Sequence, residues 1–238
     1  MTDTAVRNDV PQKLAELLES EGCRLQESRS DMIIAAVEKE NLPTVVRRLV
    51  ESLDCRFITT AGADRRAVDG GFEVTHLFAL DPDKKFLILR TDVSPEDPTI
   101  PSVTDIIVGA GWAEREVRDM IGVTPEGNPD LRRLVLPDDW PNDVYPLRRE
   151  FRVDERPPAA PENKVKIKDP PKDSTVLPLG PFFPTLEEPV FINLFVHGEE
   201  IVGMDYRGFY SHRGIEKLAD SELTYHQVPH IAERICGI

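Results

Sequence analysis

Proline decides how much of this chain can be regular structure. Nine of its 21 prolines fall between Pro157 and Pro189, including Pro157-Pro158 and Pro170-Pro171, and Lys164, Lys166, Lys168 and Lys172 crowd the same stretch. Each proline fixes φ and removes a backbone donor, so this density forbids a regular helix and stiffens the chain toward polyproline geometry. We read residues 156–178 as a Pro/Lys-rich linker. It divides the 238 residues into an N-terminal extension (1–29), a first domain (30–155) and a short last block (179–238).

The first domain carries clear periodicities. Val10 to Glu21 reads as a helix with Val10, Leu14, Leu17 and Leu18 on one face, ended by Gly22. Asp31 to Glu38 is a short apolar strand, and Asn41 is placed to cap a helix carrying Val45, Val46, Leu49 and Val50. Cys55 to Thr60 is a strand. Phe72, Val74, His76, Phe78 and Leu80 alternate with smaller or polar residues, and Asp81 to Lys84 turns this strand into a partner at Phe86 to Thr91. His76 belongs to the apolar face as a core residue. From Ser102 to Ile121 apolar residues recur at helical spacing, with Ser102 in the N-cap place and Gly122 at the stop. The order predicts an α+β fold: a mainly antiparallel sheet with helices packed on one face. Beyond the linker, Phe191 to Val196 and Ile201 to Tyr206 read as a hairpin around His197-Gly198-Glu199-Glu200, followed by a few helical turns.

Glu114 falls inside the apolar stripe of the helix that ends at Gly122. A carboxylate there must be partnered or neutral. The obvious local partner is Arg118, one turn on; Arg132, Arg133, Arg148 and Arg149 are the other candidates, and Arg115 with Asp119 forms a second local pair. The group reads either as proton-handling carboxylates or as buried charges that fix the following loop. Acidic and basic residues alternate and no nucleophile or metal pattern accompanies them, which favours the second reading.

The net charge of −14 argues against nucleic acid or an anionic membrane surface as partner. Cys23, Cys55 and Cys236, an odd and unpaired set, point to a reducing compartment rather than a disulfide framework. No apolar run approaches the ~20 residues of a membrane span and no signal peptide opens the sequence, so a cytoplasmic location is expected. No glycine-rich dinucleotide loop follows a strand and no Cys-x-x-Cys set occurs, so neither NADH nor an iron–sulfur cluster is expected to be bound here.

Glu114-Arg115-Glu116-x-x-Asp119-x-x-Gly122, Pro129-Asp130-Leu131-Arg132-Arg133, Pro137-Asp138-Asp139-Trp140 and Pro146-Leu147-Arg148 resemble, in order, the signature of the 30 kDa subunit of complex I, NADH:quinone oxidoreductase; related domains occur in membrane-bound [NiFe] hydrogenases. Ile121, Asn128 and Tyr145 depart from that signature, which has an aromatic residue and two histidines there. The last block resembles the start of the 49 kDa subunit of complex I, or of a formate-hydrogenlyase-type [NiFe]-hydrogenase large subunit. Its matches are Gly180-Pro181-x-x-Pro184, Gly198-Glu199, His212-Arg213-Gly214-x-Glu216-Lys217 and Glu233-Arg234-Ile235-Cys236-Gly237, with Phe183 in place of a histidine. In the hydrogenases this final motif holds nickel and iron. A second cysteine would fall just past Ile238, so Cys236 is a would-be metal ligand of an incomplete site.

The resemblance implies a structural peripheral-arm subunit that supports electron transfer from NADH to quinone with no catalytic residue or cofactor of its own. Iron–sulfur clusters and quinone, or nickel–iron, would reside in partner subunits, above all the 49 kDa or large subunit, on the inner face of the cell membrane. The alternatives are the first part of a fused hydrogenase large subunit, or a non-redox interaction module. Residues 176–238 offer too little core to fold alone, below the roughly 70–80 residues that usually need support. They are expected to be poorly ordered or packed on a neighbouring molecule, with self-association of the chain.

Overall fold

In a computed structural model of the chain, residues 10–154, 157–160, 167–181 and 189–235 are described. They form two compact units, the first comprising residues up to Leu131 with Leu147–Arg149, the second Arg132–Pro146 with Glu150 onward. The division differs from a boundary at residue 156, because the loop after the signature helix groups with the later chain.

The first unit is built on five strands: β1 (Arg24–Ser28), β2 (Met32–Ala36), β3 (Arg56–Asp64), β4 (Phe72–Leu80) and β5 (Lys85–Val93). Their order is β1-β2-β5-β4-β3. All neighbours are antiparallel except β2 and β5. That exception follows from the connection: after β2 the chain runs through a helix to the far edge, and the meander β3-β4-β5 returns to lie beside β2. The mainly antiparallel α+β arrangement expected from the periodicities is present. One sheet face is buried and carries Ile33, Ala35, Phe72, Val74, Phe78, Leu87 and Leu89, as period-2 alternation requires.

Helix α1 (Gln12–Ser20) buries Leu14, Leu17 and Leu18; α2 (Leu42–Leu53) buries Leu42, Val45, Val46 and Leu49. Asn41 stands at the N-cap of α2, but its side chain makes no capping bond. Helix α3 (Ala110–Ile121) ends where Gly122 enters the left-handed region at φ 86°. It begins seven residues later than expected, with Gly109 rather than Ser102 at its N-cap and turns in between. Ahead of them β6 (Thr99–Pro101) pairs in parallel with β7 (Thr124–Glu126) just after the helix.

Helix α3 sits against β3 at Gly62. A Cβ on Gly62 would lie 2.9 Å from Val117 Cγ1 and 3.2 Å from Ile121 Cγ1. We therefore expect Gly62→Ala to push helix from sheet and destabilise the protein by about 1–3 kcal/mol, the usual cost of overpacking. A denaturant midpoint equal to wild type would contradict this packing.

The second unit contains a three-stranded antiparallel sheet, β10-β9-β8. The expected hairpin is β9 (Phe191–His197) with β10 (Glu200–Arg207), and β8 (Thr175–Leu179), drawn from the end of the proline-rich stretch, adds a third strand. Helices α4 (Ile215–Ser221) and α5 (Val228–Ala232) follow. A lone hairpin is marginal in water; here it gains a strand and, as described below, ion pairs to the 132–146 loop. Packing on a neighbouring molecule is thus not needed for Phe195, which is 2% exposed, whereas Phe209 and Tyr210 remain 38% and 50% exposed. Phe182 and Phe183 lie outside the described residues.

Candidate functional site

Glu114 is buried as its place in the helical stripe requires, but its partners are not arginines. Ser102 Oγ donates to Glu114 Oε2 at 2.7 Å, the Val103 backbone N–H donates to Oε1 at 2.8 Å, and Asn128 Nδ2 donates to Oε2 at 2.8 Å. One carboxylate thus fastens the turn before the helix and the loop after β7 onto α3. The expected Arg118–Glu114 pair is absent for a physical reason: three neutral donors satisfy the carboxylate, so no second buried charge has to be desolvated. Ser102 Oγ also accepts the Thr104 N–H at 3.2 Å, so it closes a local turn ahead of α3 while its proton goes to Glu114. Asn128 in turn accepts the Asp130 N–H on Oδ1 at 2.9 Å, closing an Asx turn.

Arg118 and Arg148 hold backbone instead. Arg118 donates to Leu131 O at 2.6 Å, and Arg148 Nε donates to Ile121 O at 2.6 Å. The second of these caps a carbonyl in the last turn of α3. Arg148 and Arg66 also sit over the Phe72 ring, 4.8 and 5.0 Å from its centre. Leu147 N–H donates to Met120 O at 3.0 Å. Arg149 N–H reaches Asp64, which Arg66 also grips; the Arg66 guanidinium holds the Asp64 carboxyl well below the usual carboxylate range. Arg115 lies 3.5 Å from Asp130. Asp119 is buried, Glu116 half-buried and Pro129 exposed on the loop.

In the second unit, Arg133 Nη2 donates to the carbonyls of Trp140 and Pro141 at 3.1 and 2.8 Å. Trp140 donates to Val144 O at 2.8 Å and packs against Phe151, with Pro146 buried nearby in sequence. Arg132 pairs with Asp205 at 2.9 Å, and Arg207 with Asp138 at 2.7 Å. These two ion pairs tie the signature loop to β10. Nothing in the sequence marks Asp205 or Arg207, because the partners are 73 and 69 residues apart and no local spacing connects them.

The later motif residues are spread along the chain. Gly180 has φ 95°, and a Cβ there would stand 1.9 Å from Val190 O, so only glycine fits; Pro181 follows through a cis peptide. Gly214, at φ 66°, precedes α4, in which Glu216 is exposed and Lys217 buried. His212 N–H donates to Phe209 O, while the His212, Arg213 and Arg234 side chains are exposed. Cys236 lies outside the described residues. Burial pushes the thiols of Cys23 and Cys55 up to about 11, which makes both poor nucleophiles at neutral pH. Among the described residues no group of three or more His, Cys, Asp or Glu could hold a metal ion.

A family model described as respiratory-chain NADH dehydrogenase, 30 Kd subunit, matches residues 35–157. Hydrogenase-4 component G of Escherichia coli (strain K12) is 39% identical over 223 residues, covering 91% of this chain and 40% of that protein. The NADH-quinone oxidoreductase C/D subunit of Ectopseudomonas mendocina (strain ymp) is 30% identical over 255 residues, covering 93% of this chain and 42% of that protein. Such coverage spans both blocks, and the chain accounts for about two fifths of each relative's length. A chain of the membrane-bound sulfane sulfur reductase, an archaeal respiratory membrane complex, shares the fold with a TM-score of 0.54 at 21% identity, over 60% of this chain and 85% of that one.

Proposed function

Because the chain belongs to the respiratory-chain NADH dehydrogenase 30 kDa subunit family, we propose that it is a structural element of the peripheral arm of a complex-I-like oxidoreductase. In this reading it supports electron transfer from NADH to quinone and binds no redox cofactor itself. One observation carries the reading: the signature side chains are engaged within the protein, on backbone or in ion pairs. Glu114 holds Val103 N–H, Arg133 holds Trp140 O and Pro141 O, Arg148 holds Ile121 O, and Arg115, Arg132 and Asp138 pair with Asp130, Asp205 and Arg207. Groups so engaged shape a surface rather than act on a substrate.

The second unit by itself offers one face of the three-stranded sheet as a docking surface. Leu177, Leu194 and Met204 stand in one row across β8, β9 and β10, and Leu177, Met204 and Ile201 are 49%, 50% and 61% exposed. An apolar face of this kind suits the partner that holds the quinone site, or a second copy of the chain. Iron–sulfur clusters and quinone would lie in the redox partners. No helix among the described residues is long and apolar enough to cross a membrane, and attachment to the inner face of the membrane would come through the partners.

The alternative, a piece of a hydrogenase-type large subunit, is favoured by the 39% identity to hydrogenase-4 component G across both blocks. Purification of the tagged chain from its host tests both. We expect co-purification of redox subunits with NADH:quinone activity; hydrogen evolution in its place would select the hydrogenase reading. The isolated chain is expected to be colourless and to neither oxidise NADH nor evolve hydrogen. Turnover by the chain alone, or its recovery free of any redox subunit, would sink the scaffold.

A further inference from the structure

A small space lies between helix α3 and the sheet, lined by Glu114. Its volume is about 10 Å³, and its walls include Thr60, His76 and Glu114 together with Val74, Val117 and Val123. The three polar residues are 4%, 1% and 4% exposed. Thr60 and His76 are cross-strand partners on β3 and β4, both on the buried face. Thr60 Oγ1 and His76 Nδ1 meet no hydrogen-bond partner in the protein. Buried polar atoms almost always find partners, and two such orphans lining one space are a specific signal. A space of roughly 10–15 Å³ with two to four polar groups around it is what one buried water requires, whereas an apolar cavity of that size stays dry.

We propose that a single structural water occupies this space and joins the sheet to the Glu114 clamp. It accepts a hydrogen bond from the Thr60 hydroxyl and donates to His76 Nδ1 and to the Glu114 carboxylate. The carboxylate has lone pairs to spare, since Oε1 otherwise accepts only the Val103 N–H. The donor count balances when the His76 ring is neutral with Nδ1 as acceptor. Burial favours that state by pushing the His76 pKa down to about 4. The water thereby extends the clamp: Asn128, Ser102, Glu114, His76 and Thr60 form one polar chain through an otherwise apolar interior.

The test is a crystal structure of the full chain at a resolution that shows ordered water, with melting curves of wild type and Thr60→Val. The expected density is a peak within hydrogen-bond distance of Thr60 Oγ1, His76 Nδ1 and Glu114. Thr60→Val keeps the shape and removes one partner of the water, so its melting midpoint should fall by about 2–4 °C. If the space is dry, valine merely removes an unsatisfied buried hydroxyl and the midpoint should rise. An empty density map or a raised midpoint overturns the proposal.

Discussion

Glu114→Ala is expected to lower the stability of the first unit by about 3–5 kcal/mol, since it strands several buried donors at once, each costing about 1–3 kcal/mol when unsatisfied. Ser102 Oγ, Val103 N–H and Asn128 Nδ2 all lose their acceptor, and partial entry of water keeps the total below the simple sum. The loss should come with loosening of the turn 102–109 and of the β6–β7 pair that flanks α3. Arg118→Ala separates this account from an ion-pair account. Arg118 reaches Leu131 O rather than Glu114, so its truncation should cost only about 1 kcal/mol. Its effect should add to that of Glu114→Ala within about 0.5 kcal/mol in the double variant. Strong coupling between the two, or a Glu114→Ala midpoint within error of wild type, would refute the clamp.

The parts of the fold that depend on local pattern are legible in the residues. The alternation of Phe72, Val74, His76 and Phe78 marks a half-buried strand because the side-chain period of a strand is two, and β4 is found there. Val45, Val46 and Leu49 mark the inner face of α2 in the same way. What is not legible depends on distant partners. Strand β1, Arg-Leu-Gln-Glu-Ser, is a polar edge strand whose composition resembles a loop, and only its pairing with β2 makes it a strand. Ser102 has the right identity for an N-cap and its oxygen does accept the Thr104 N–H, but that bond closes a turn, and the hydroxyl proton goes to a buried carboxylate twelve residues on that no local spacing marks. Asn128 stands out in the sequence only as a departure from a family pattern. Its amide proves to be the neutral donor that lets Glu114 stay buried without an arginine.

The same balance governs the signature loop. Arg132 and Arg207 find Asp205 and Asp138 across nearly seventy residues or more, and with β8 these contacts give the last block a set of partners that its own sixty residues do not contain. A block of this size, below roughly 70–80 residues, rarely supplies enough core to fold alone. Ion pairs to an earlier loop and a strand from the proline-rich stretch add to it, and neither is visible in the residues because neither has a local periodicity.

Acid should weaken the first unit before any carboxylate titrates, through His76. Burial lowers its pKa from 6.5 to about 4. Between these values the unfolded chain binds a proton that the folded chain refuses, so unfolding gains as pH falls. Stability is therefore greatest above pH 6.5, declines through the window from 6.5 to 4, and levels off, for this group, below about 4. A gap of that size is worth about 3 kcal/mol, at about 1.4 kcal/mol for each pH unit. Asp64 acts in a separate window. Its folded pKa is depressed by Arg66, so its contribution is present above its ordinary value near 3.8 and is lost as pH falls below that. Urea titrations at pH 7, 5.5 and 4.5 should show the midpoint falling stepwise in wild type. His76→Gln, which has no titrating ring, should start lower at pH 7 and lose most of the slope between 7 and 4.5. Equal slopes in the two proteins would assign the acid sensitivity elsewhere, and a flat wild-type profile above pH 5 would mean that the buried ring accepts its proton as readily as one in water.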